Sequence, residues 1–192
     1  ENILRVLTKI KEFTQGITHE VIFVDDNSND GTIDTIKSVL GTNIKLIESP
    51  IRKGLGNALN LGWNQSRGRF IMFLDCDSHI SNKELRSIIE LRALNSLVIG
   101  SRYVSGGSIK GAPLLKVFLS KLLNYLISRY LKIPALDISH SLRIFPNIQL
   151  EVNQTLTHPG YFWLLSKKLQ IMKISVVEFP VTFIERSAGK SK

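Results

Sequence analysis

Asp75 and Asp77, two carboxylates one residue apart, directly follow an apolar run at residues 70–74. A short apolar run that ends in polar residues is typical of a buried strand. Such a strand has no structural use for two acids at its end, because burying unpaired charge is costly. Magnesium ions take one or two carboxylates together with substrate phosphates. The pair therefore predicts a site for Mg²⁺ or Mn²⁺ and a phosphorylated ligand such as a nucleotide.

A second acidic pair, Asp25 and Asp26, follows the apolar run at residues 21–24. The polar residues after this pair fit a turn and a helix cap, but a turn does not explain two acids at a strand end. Carboxylates there can accept hydrogen bonds from a nucleobase or from ribose hydroxyls. In an open α/β sheet, ligands lie at the carboxyl ends of the strands. We therefore predict that Asp25 and Asp26 bind the nucleoside.

The composition narrows the choice of partners. The chain has 192 residues and a net charge of +9, from 25 Lys+Arg against 16 Asp+Glu, so anionic partners are expected. Its basic residues are spread along the chain and do not alternate with aromatic residues, which favours phosphates or an anionic membrane over nucleic acid. We expect no nucleic-acid partner. No apolar run reaches the ~18 residues that a membrane span requires.

Strand-like apolar runs alternate with helical patterns along the first half of the chain. The runs lie at residues 21–24, 44–47, 70–74 and 97–99, and the helical patterns at 32–40, 55–63 and 82–94, the last with Asn82 as its cap. This alternation predicts an α/β domain with a mostly parallel central sheet flanked by helices. The chain begins, however, with an amphipathic helix over residues 1–13. We therefore expect that the first strand is missing and that residues 1–192 are one N-terminally truncated domain.

A long apolar segment at residues 114–131 is interrupted by Lys116, Lys121 and Arg129. Cations within an apolar helix are typical of helices that lie on a membrane surface. They also occur in helices packed on a sheet, where the lysine stems cover apolar surface and the ammonium groups reach water. The sequence leaves both interpretations open, and it leaves open whether the segment is one helix or two. Two short strands are predicted later, at residues 176–179 and 181–184.

Seven segments, in order along nearly the whole chain, resemble glycosyltransferase family 2, in particular its dolichyl-phosphate mannose synthases and polyprenyl-phosphate glucosyltransferases. The segments are VIFVDDNSNDGT, RKGLGNALNLGW, FLDCDSH, GSRYVSGGSI, DISHSLRIFP, VEFPVTFIERSAGKSK and the helix that carries Lys116, Ser120 and Asn124. The resemblance implies a GT-A fold, the fold of nucleotide-diphospho-sugar transferases, in which the missing strand is central. His140 stands where the family has a serine, as either a phosphate contact or a packing residue.

The resemblance also implies a reaction and the residues that perform it. A hexose, most simply mannose from GDP-mannose, passes with inversion to a polyprenyl or dolichyl phosphate at the cytoplasmic face of a membrane. The metal ligands implied are Asp75, Asp77 and His79, and the catalytic residues are Asp77, Arg102 and Arg143. The nucleotide-sugar contacts implied are Asp25, Asp26, Lys53, Asp75, Arg186 and Lys192. The acceptor-phosphate contacts implied are Arg102, Lys116, Ser120 and Arg143.

Several alternatives stay open on the sequence. The alternative donor is UDP-glucose, and the alternative acceptor is a molecule without a lipid. A sugar nucleotidyltransferase shares the fold class but needs a glycine-rich phosphate loop near its first strand. A Mg²⁺-binding phospho-receiver domain has similar acids after its strands but needs no second acid at Asp77 and no basic closing segment. A truncated chain could also bind nucleotide without turnover, which an assay for released nucleoside diphosphate would reveal.

Overall fold

The computed structural model describes residues 2–185. Within this range the chain forms six helices and eight strands. In chain order these are α1 Asn2–Phe13, β1 Val21–Asp25, α2 Thr32–Lys37, β2 Ile44–Glu48, α3 Leu55–Asn64, β3 Phe70–Phe73, α4 Asn82–Glu90, β4 Ser96–Ser101, β5 Ser108–Lys110, α5 Leu114–Leu131, β6 Arg143–Pro146, α6 Gly160–Ile171, β7 Ser175–Pro180 and β8 Thr182–Ile184. The predicted alternation from β1 to β4 is confirmed, and α5 is a single helix.

The central sheet has four strands in the order β3-β6-β4-β7. Strand β7 is parallel to β4, whereas β6 lies antiparallel between β3 and β4. The pairs β1-β2 and β5-β8 are parallel and form two further small sheets. The central sheet is therefore mixed, because β6 enters it against the direction of its neighbours. The sequence pattern did not predict β6, since its four residues begin with Arg143 and end with Pro146 and no apolar run marks them.

Alternate residues of the central strands face two different apolar clusters. Leu97 and Ile99 of β4 pack in the cluster that includes residues of α3 and α6, whereas Val98 packs in the cluster with α1 and α4. This division follows from the two-residue period of a strand. All three side chains are fully buried, and burial of each stabilises the fold by about 1.5–3 kcal/mol. Both faces of the sheet are thus covered, so a ligand must bind at the strand ends.

Helix α1 packs across the junction between the β1-β2 pair and the central sheet. Its Ile3 and Val6 lie in one apolar cluster with Phe23 of β1, and Phe13 lies in the cluster of β4 and α4. Within residues 2–185 no backbone ladder joins β1 to β3. The expectation of a missing first strand stays a prediction.

The start of α4 differs from the prediction in its capping residue. The N-cap is Ser81, whose backbone is extended as a cap requires,. Its hydroxyl accepts from the backbone N–H of Glu84 at 3.2 Å, and the Glu84 carboxylate accepts from the Ser81 N–H at 2.9 Å. This reciprocal pair is a capping box. Asn82 is instead the first helical residue, and its side chain contacts the carboxylate of Glu12.

Candidate active site

The loop at residues 75–80, here called the acid-bearing loop, joins β3 to α4 and carries Asp75 and Asp77. A turn closes it, in which the N–H of Ser78 donates to the Asp75 carbonyl at 3.0 Å. Asp75 is exposed and Asp77 is half-buried. The carboxylate of Asp75 accepts a hydrogen bond of 2.5 Å from the hydroxyl of Ser141. The structure thus places both acids at the end of β3, next to the segment that precedes β6.

The two acids fit a divalent metal, whereas His79 does not complete a site with them. Among residues 2–185, no three His, Cys, Asp or Glu side chains stand together as metal ligands. The Nδ1 atom of His79 lies 3.2 Å from a guanidinium nitrogen of Arg5. Because arginine only donates, Nδ1 must accept and Nε2 must carry the hydrogen. In this arrangement the Nδ1 lone pair of His79 is used by Arg5, and His79 as a third metal ligand stays a prediction. A metal held by Asp75 and Asp77 would take its other ligands from phosphates and water.

The acids at the end of β1 bind the backbone of neighbouring loops. Asp25 is buried, and its carboxylate accepts from the N–H of Ser28 at 2.7 Å. Asp26 accepts from the N–H of Lys53 at 2.9 Å and from the N–H of Gly54 at 2.6 Å. Asp26 thereby fixes the loop before α3 to the end of β1. Each carboxylate has about four lone-pair positions, so nucleoside binding by Asp25 and Asp26 stays a prediction beside this structural role.

Arg102 forms a buried ion pair with Asp137. Its Nε and Nη2 atoms donate to the two carboxylate oxygens at 2.7 Å each, and Nη2 also donates to Ser139 at 3.0 Å. The side chain of Asp137 is 0% exposed and that of Arg102 is 13% exposed. Burial alone would raise the pKa of Asp137, but the hydrogen bonds and charge of Arg102 outweigh burial and lower it. Arg102 is therefore a fixed, neutralised cation, although its Nη1 atom makes none of these contacts.

Arg143 lies in the protein interior, which its predicted contact with the acceptor phosphate does not fit. The side chain is fully buried. Its guanidinium donates to the carbonyl oxygens of Ile138, His140 and Phe162 and to the hydroxyl of Ser166. Burial lowers the pKa of Arg143 to about 9. A group whose donors are directed at interior oxygens cannot reach a phosphate at the surface, so this arrangement supports a structural role.

The predicted acceptor residues on α5 have partners within the chain, of which that of Lys116 lies at the surface. Lys116 forms an ion pair with Glu185, and Ser120 accepts a hydrogen bond of 2.6 Å from the hydroxyl of Tyr103. Asn124 is buried and exchanges two hydrogen bonds of 3.0 Å with Ser139. The inner face of α5 is therefore joined to the residues around the Arg102 ion pair. The predicted nucleotide contacts Arg186 and Lys192 lie outside the described residues.

The sequence reasoning missed several residues of this region. Glu178 accepts from the N–H groups of Leu136 at 2.8 Å and Asp137 at 2.9 Å, and so holds the ion pair in place. His158 lies edge-on to Phe162, and burial lowers its pKa, against the nearby charge of Asp75. The polar run at residues 137–141 was a signal for such a cluster. A partner as distant in sequence as Glu178 left no local signal.

His140 has the surroundings of a packing residue. It is 5% exposed and lies edge-on to the ring of Phe183. Burial lowers its pKa to about 4, so the ring is neutral at pH 7. A neutral, buried ring attracts a phosphate weakly, so the packing alternative fits His140 better.

The outer face of α5 is apolar and exposed. The exposed fractions are 87% for Leu114, 69% for Leu115 and 62% for Phe118. A shallow apolar groove of about 230 Å³ is lined by Phe118, Lys121, Leu122, Tyr125 and Leu136. In the part of the chain that the structure describes, no helix has the length and apolar character needed to cross a membrane. The apolar side chains of this face are therefore not packed on the sheet, and its contact with a membrane stays a prediction.

Known proteins are similar to this chain in sequence and in fold. The profile described as "Glycosyl transferase family 2" matches residues 1–148. The chain is 29% identical over 197 residues to the dolichol-phosphate mannosyltransferase of Pyrococcus furiosus, covering 100% of this chain and 55% of that protein. It is 30% identical over 183 residues to the polyprenol monophosphomannose synthase of Mycolicibacterium smegmatis, covering 90% of this chain and 69% of that protein.

Among solved structures, the mannosyltransferase PcManGT from Pyrobaculum calidifontis, in complex with GDP-Man and Mn²⁺, has a similar fold. The TM-score is 0.64 at 18% identity, over 96% of this chain and 52% of that chain. The described chain thus spans about half the length of PcManGT and of the Pyrococcus relative.

Proposed function

Because this chain belongs to glycosyl transferase family 2 and has the GT-A fold, we propose that it transfers a hexose from a nucleotide sugar to a polyprenyl or dolichyl phosphate. Mannose from GDP-mannose is the first choice of donor. The relatives named for dolichol-phosphate and polyprenol mannose transfer, which match 100% and 90% of this chain, support that choice. UDP-glucose as the donor and an acceptor without a lipid are the alternatives that the experiment separates.

One observation carries the proposal: the segment at residues 136–141 joins the acid pair to the apolar groove. At one end Ser141 bonds Asp75, and at the other Leu136 lines the groove on α5. Five residue steps separate the Cα atoms of Leu136 and Ser141, and a fully extended chain of five steps spans at most about 18 Å. An amphipathic substrate can therefore reach both places at once, with its phosphate near the acids and its hydrocarbon along the groove.

Asp75 and Asp77 are the residues that would hold Mg²⁺ or Mn²⁺ on the donor. The bound metal would neutralise the charge that develops on the leaving nucleoside diphosphate. Asp25 and Asp26 would contact the nucleoside, with Lys53 beside the phosphates. The acceptor phosphate is already anionic at pH 7, so its attack on the sugar needs no strong general base.

Arg102 would contact the acceptor phosphate through its Nη1 atom, which makes none of the contacts with Asp137 and Ser139. Its two contacts with Asp137 fix the guanidinium plane, and Ser139 adds a third contact. A planar, oriented guanidinium is well suited to bind phosphate oxygens. Lys116 and Ser120 on α5 stay proposed contacts of the same phosphate. Arg143 holds the segment next to the site from the protein interior, by donating to the carbonyl oxygens of Ile138 and His140.

The outer face of α5 would lie on the anionic, cytoplasmic surface of a membrane. The helix contains no Asp or Glu, and its cations are Lys116, Lys121 and Arg129. Exposed leucines and aromatic rings can enter the headgroup region while nearby cations bind anionic lipids. The charge of the helix therefore fits a lipid surface better than it fits a second copy of this chain, whose net charge is +9.

Vesicle flotation tests the membrane contact. We expect the purified protein to float with vesicles that contain phosphatidylglycerol. The double variant Leu115→Gln with Phe118→Gln should bind about 30-fold more weakly or worse, because each substitution loses about 1 kcal/mol or more of apolar burial. Leu91→Gln serves as the matched control, because Leu91 is an exposed leucine (44%) outside α5, at the C-terminal end of α4. Equal binding of all variants would contradict the contact, and a dimer dissociated by the same substitutions would assign the face to a second copy.

A transfer assay tests the reaction. The protein is incubated in detergent with dolichyl phosphate, Mn²⁺ and either GDP-mannose or UDP-glucose, and lipid-linked sugar is measured. We expect transfer from GDP-mannose, with Asp77→Asn at least about 100-fold slower because metal stabilisation is worth several kcal/mol. Asp34→Asn is the control, because Asp34 is exposed on α2. A folded protein that releases nucleoside diphosphate from either nucleotide sugar, yet transfers no sugar to dolichyl phosphate, would refute the lipid-phosphate acceptor.

A further inference from the structure

The polar face of α1 contacts the acid-bearing loop and the start of α4. Arg5, Lys9 and Glu12 are spaced four and three residues apart, so they lie on one side of the helix. Arg5 contacts His79, Lys9 contacts the carbonyl groups of the loop, and Glu12 contacts Asn82. This row of side chains therefore contacts the second half of the acid-bearing loop and the first residue of α4.

Lys9 makes the central contact of this row. Its ammonium group donates to the carbonyl oxygen of Ser78 at 3.2 Å and to that of Ile80. These carbonyls flank His79, and Ser78 directly follows Asp77. Lys9 is half-buried, and a hydrogen bond from a charged donor is about twice as strong as a neutral one. The contact thus restrains the backbone that directs the Asp77 side chain.

Arg5 makes a second contact with the same loop, at the side chain of His79. Among residues 2–185, the ion pairs do not include Arg5 or Lys9. The two cations lie close enough for each charge to disfavour the other, which contributes to a lowered pKa of Lys9 after the larger effect of burial. The carboxylates of Glu84 and Glu12 act on the pKa of Lys9 in the opposite direction and offset part of this effect. Apolar residues would still pack the helix at lower cost than a half-buried ammonium group.

We propose that Lys9 and Arg5 are positioning residues, which hold the acid-bearing loop so that Asp75 and Asp77 can bind a divalent metal with the nucleotide diphosphate. This inference rests on the metal-dependent reaction proposed above. Lys9 acts through the loop backbone. Arg5 acts through the ring of His79, whose Nδ1 atom lies 3.2 Å from a guanidinium nitrogen of Arg5. Groups that orient metal ligands typically change metal affinity 10–100-fold when they are removed.

The test compares Mn²⁺ binding in the presence of GDP by the wild-type protein and by Lys9→Met, Lys9→Arg and Lys11→Met. The electron paramagnetic resonance signal of unbound Mn²⁺ gives the affinity without any turnover. Lys11 is the matched control, because it is exposed on α1 and lies about 200° around the helix from Lys9,. Thermal unfolding of each variant is followed by circular dichroism.

We expect Lys9→Met to weaken Mn²⁺ binding about tenfold or more, Lys9→Arg to restore most of it, and Lys11→Met to stay within about twofold of the wild type. Arg5→Gln should weaken binding by a smaller factor at an unchanged unfolding temperature. Lys9→Met with wild-type Mn²⁺ affinity, whatever its unfolding temperature, would overturn the proposal, as would a wild-type protein that binds no Mn²⁺. Normal Mn²⁺ and GDP binding without sugar transfer would refute only the proposed reaction.

Discussion

Replacing Asp137 by asparagine removes one charge of the buried ion pair and leaves the shape of the site almost unchanged. The carboxylate of Asp137 accepts from the backbone N–H of Arg102 at 2.9 Å and from two of its guanidinium nitrogens at 2.7 Å. Asparagine offers one acceptor oxygen and turns an amide NH₂ toward the remaining donors. The guanidinium of Arg102, 13% exposed, then stays buried without a counter-charge.

The expected cost follows from burial. Removing one partner of a buried pair typically destabilises a protein by 3–5 kcal/mol, because an uncompensated charge remains in the interior. With a urea m-value of about 2.5 kcal/mol/M, this cost lowers the unfolding midpoint by about 1–2 M. The hydrogen bonds and charge of Arg102 lower the pKa of Asp137, against the effect of burial. The pair therefore stabilises the fold above the ordinary carboxyl pKa of about 3.9, and this contribution is lost as the pH falls through the lower folded-state pKa.

Urea unfolding followed by tryptophan fluorescence measures the effect, with a double-mutant cycle to isolate the pair. The double variant Asp137→Asn with Arg102→Met removes both charges, so we expect it to recover at least half of the lost stability. Glu48→Gln is the matched control. Its ion pair with Lys37 is 45% and 51% exposed, so the loss should stay below about 1 kcal/mol.

Two results would refute this reasoning. One is a loss below about 1 kcal/mol for Asp137→Asn at pH 7, which would mean that water reaches Arg102. The other is a double variant no more stable than the single one, because an uncompensated charge could then not be the cause. A sugar-transfer assay on the double variant tests the proposed phosphate contact separately, since that variant lacks the guanidinium but is expected to be folded.

Three further outcomes are expected. Asp26→Ala removes the acceptor of two N–H groups in the loop before α3. This variant should raise the KM for the nucleotide sugar about tenfold, which is the cost of one or two hydrogen bonds. Asp34→Ala should leave the KM unchanged in the same kinetic assay. The pKa of His140 falls from 6.5 to about 4 on folding, so the unfolded chain takes up a proton first as the pH drops. The free energy of unfolding should therefore decrease by up to about 3 kcal/mol between about pH 6.5 and about pH 4,. Denaturant titrations at each pH should show a smaller decrease for His140→Leu. Chelation by EDTA should abolish transfer yet leave the thermal midpoint of the nucleotide-free protein unchanged, because no three candidate metal ligands of residues 2–185 stand together.

Local patterns in the chain were sufficient to predict the strands β1 to β4 and the acids at the ends of β1 and β3, but not the strands β5 and β6. An apolar run whose next residues are acids reveals both a buried element and its end, and both properties lie within a few consecutive positions. Asp25 with Asp26, and Asp75 with Asp77, were therefore placed correctly at the ends of β1 and β3. The family resemblance then made the GT-A fold predictable, although the antiparallel β6 left no mark in the apolar pattern.

The surroundings of the charged side chains could be decided only by the tertiary structure. The motif around a cation is the same whether the cation contacts a phosphate, as was expected of Arg143, or lies in the interior, where β6 places Arg143. The sequence by itself determined where strands end in acids and which partners the net charge of +9 allows. The fold decided which charges neutralise one another, because Arg102 and Asp137 stand 35 residues apart in the chain and meet only once the sheet has formed.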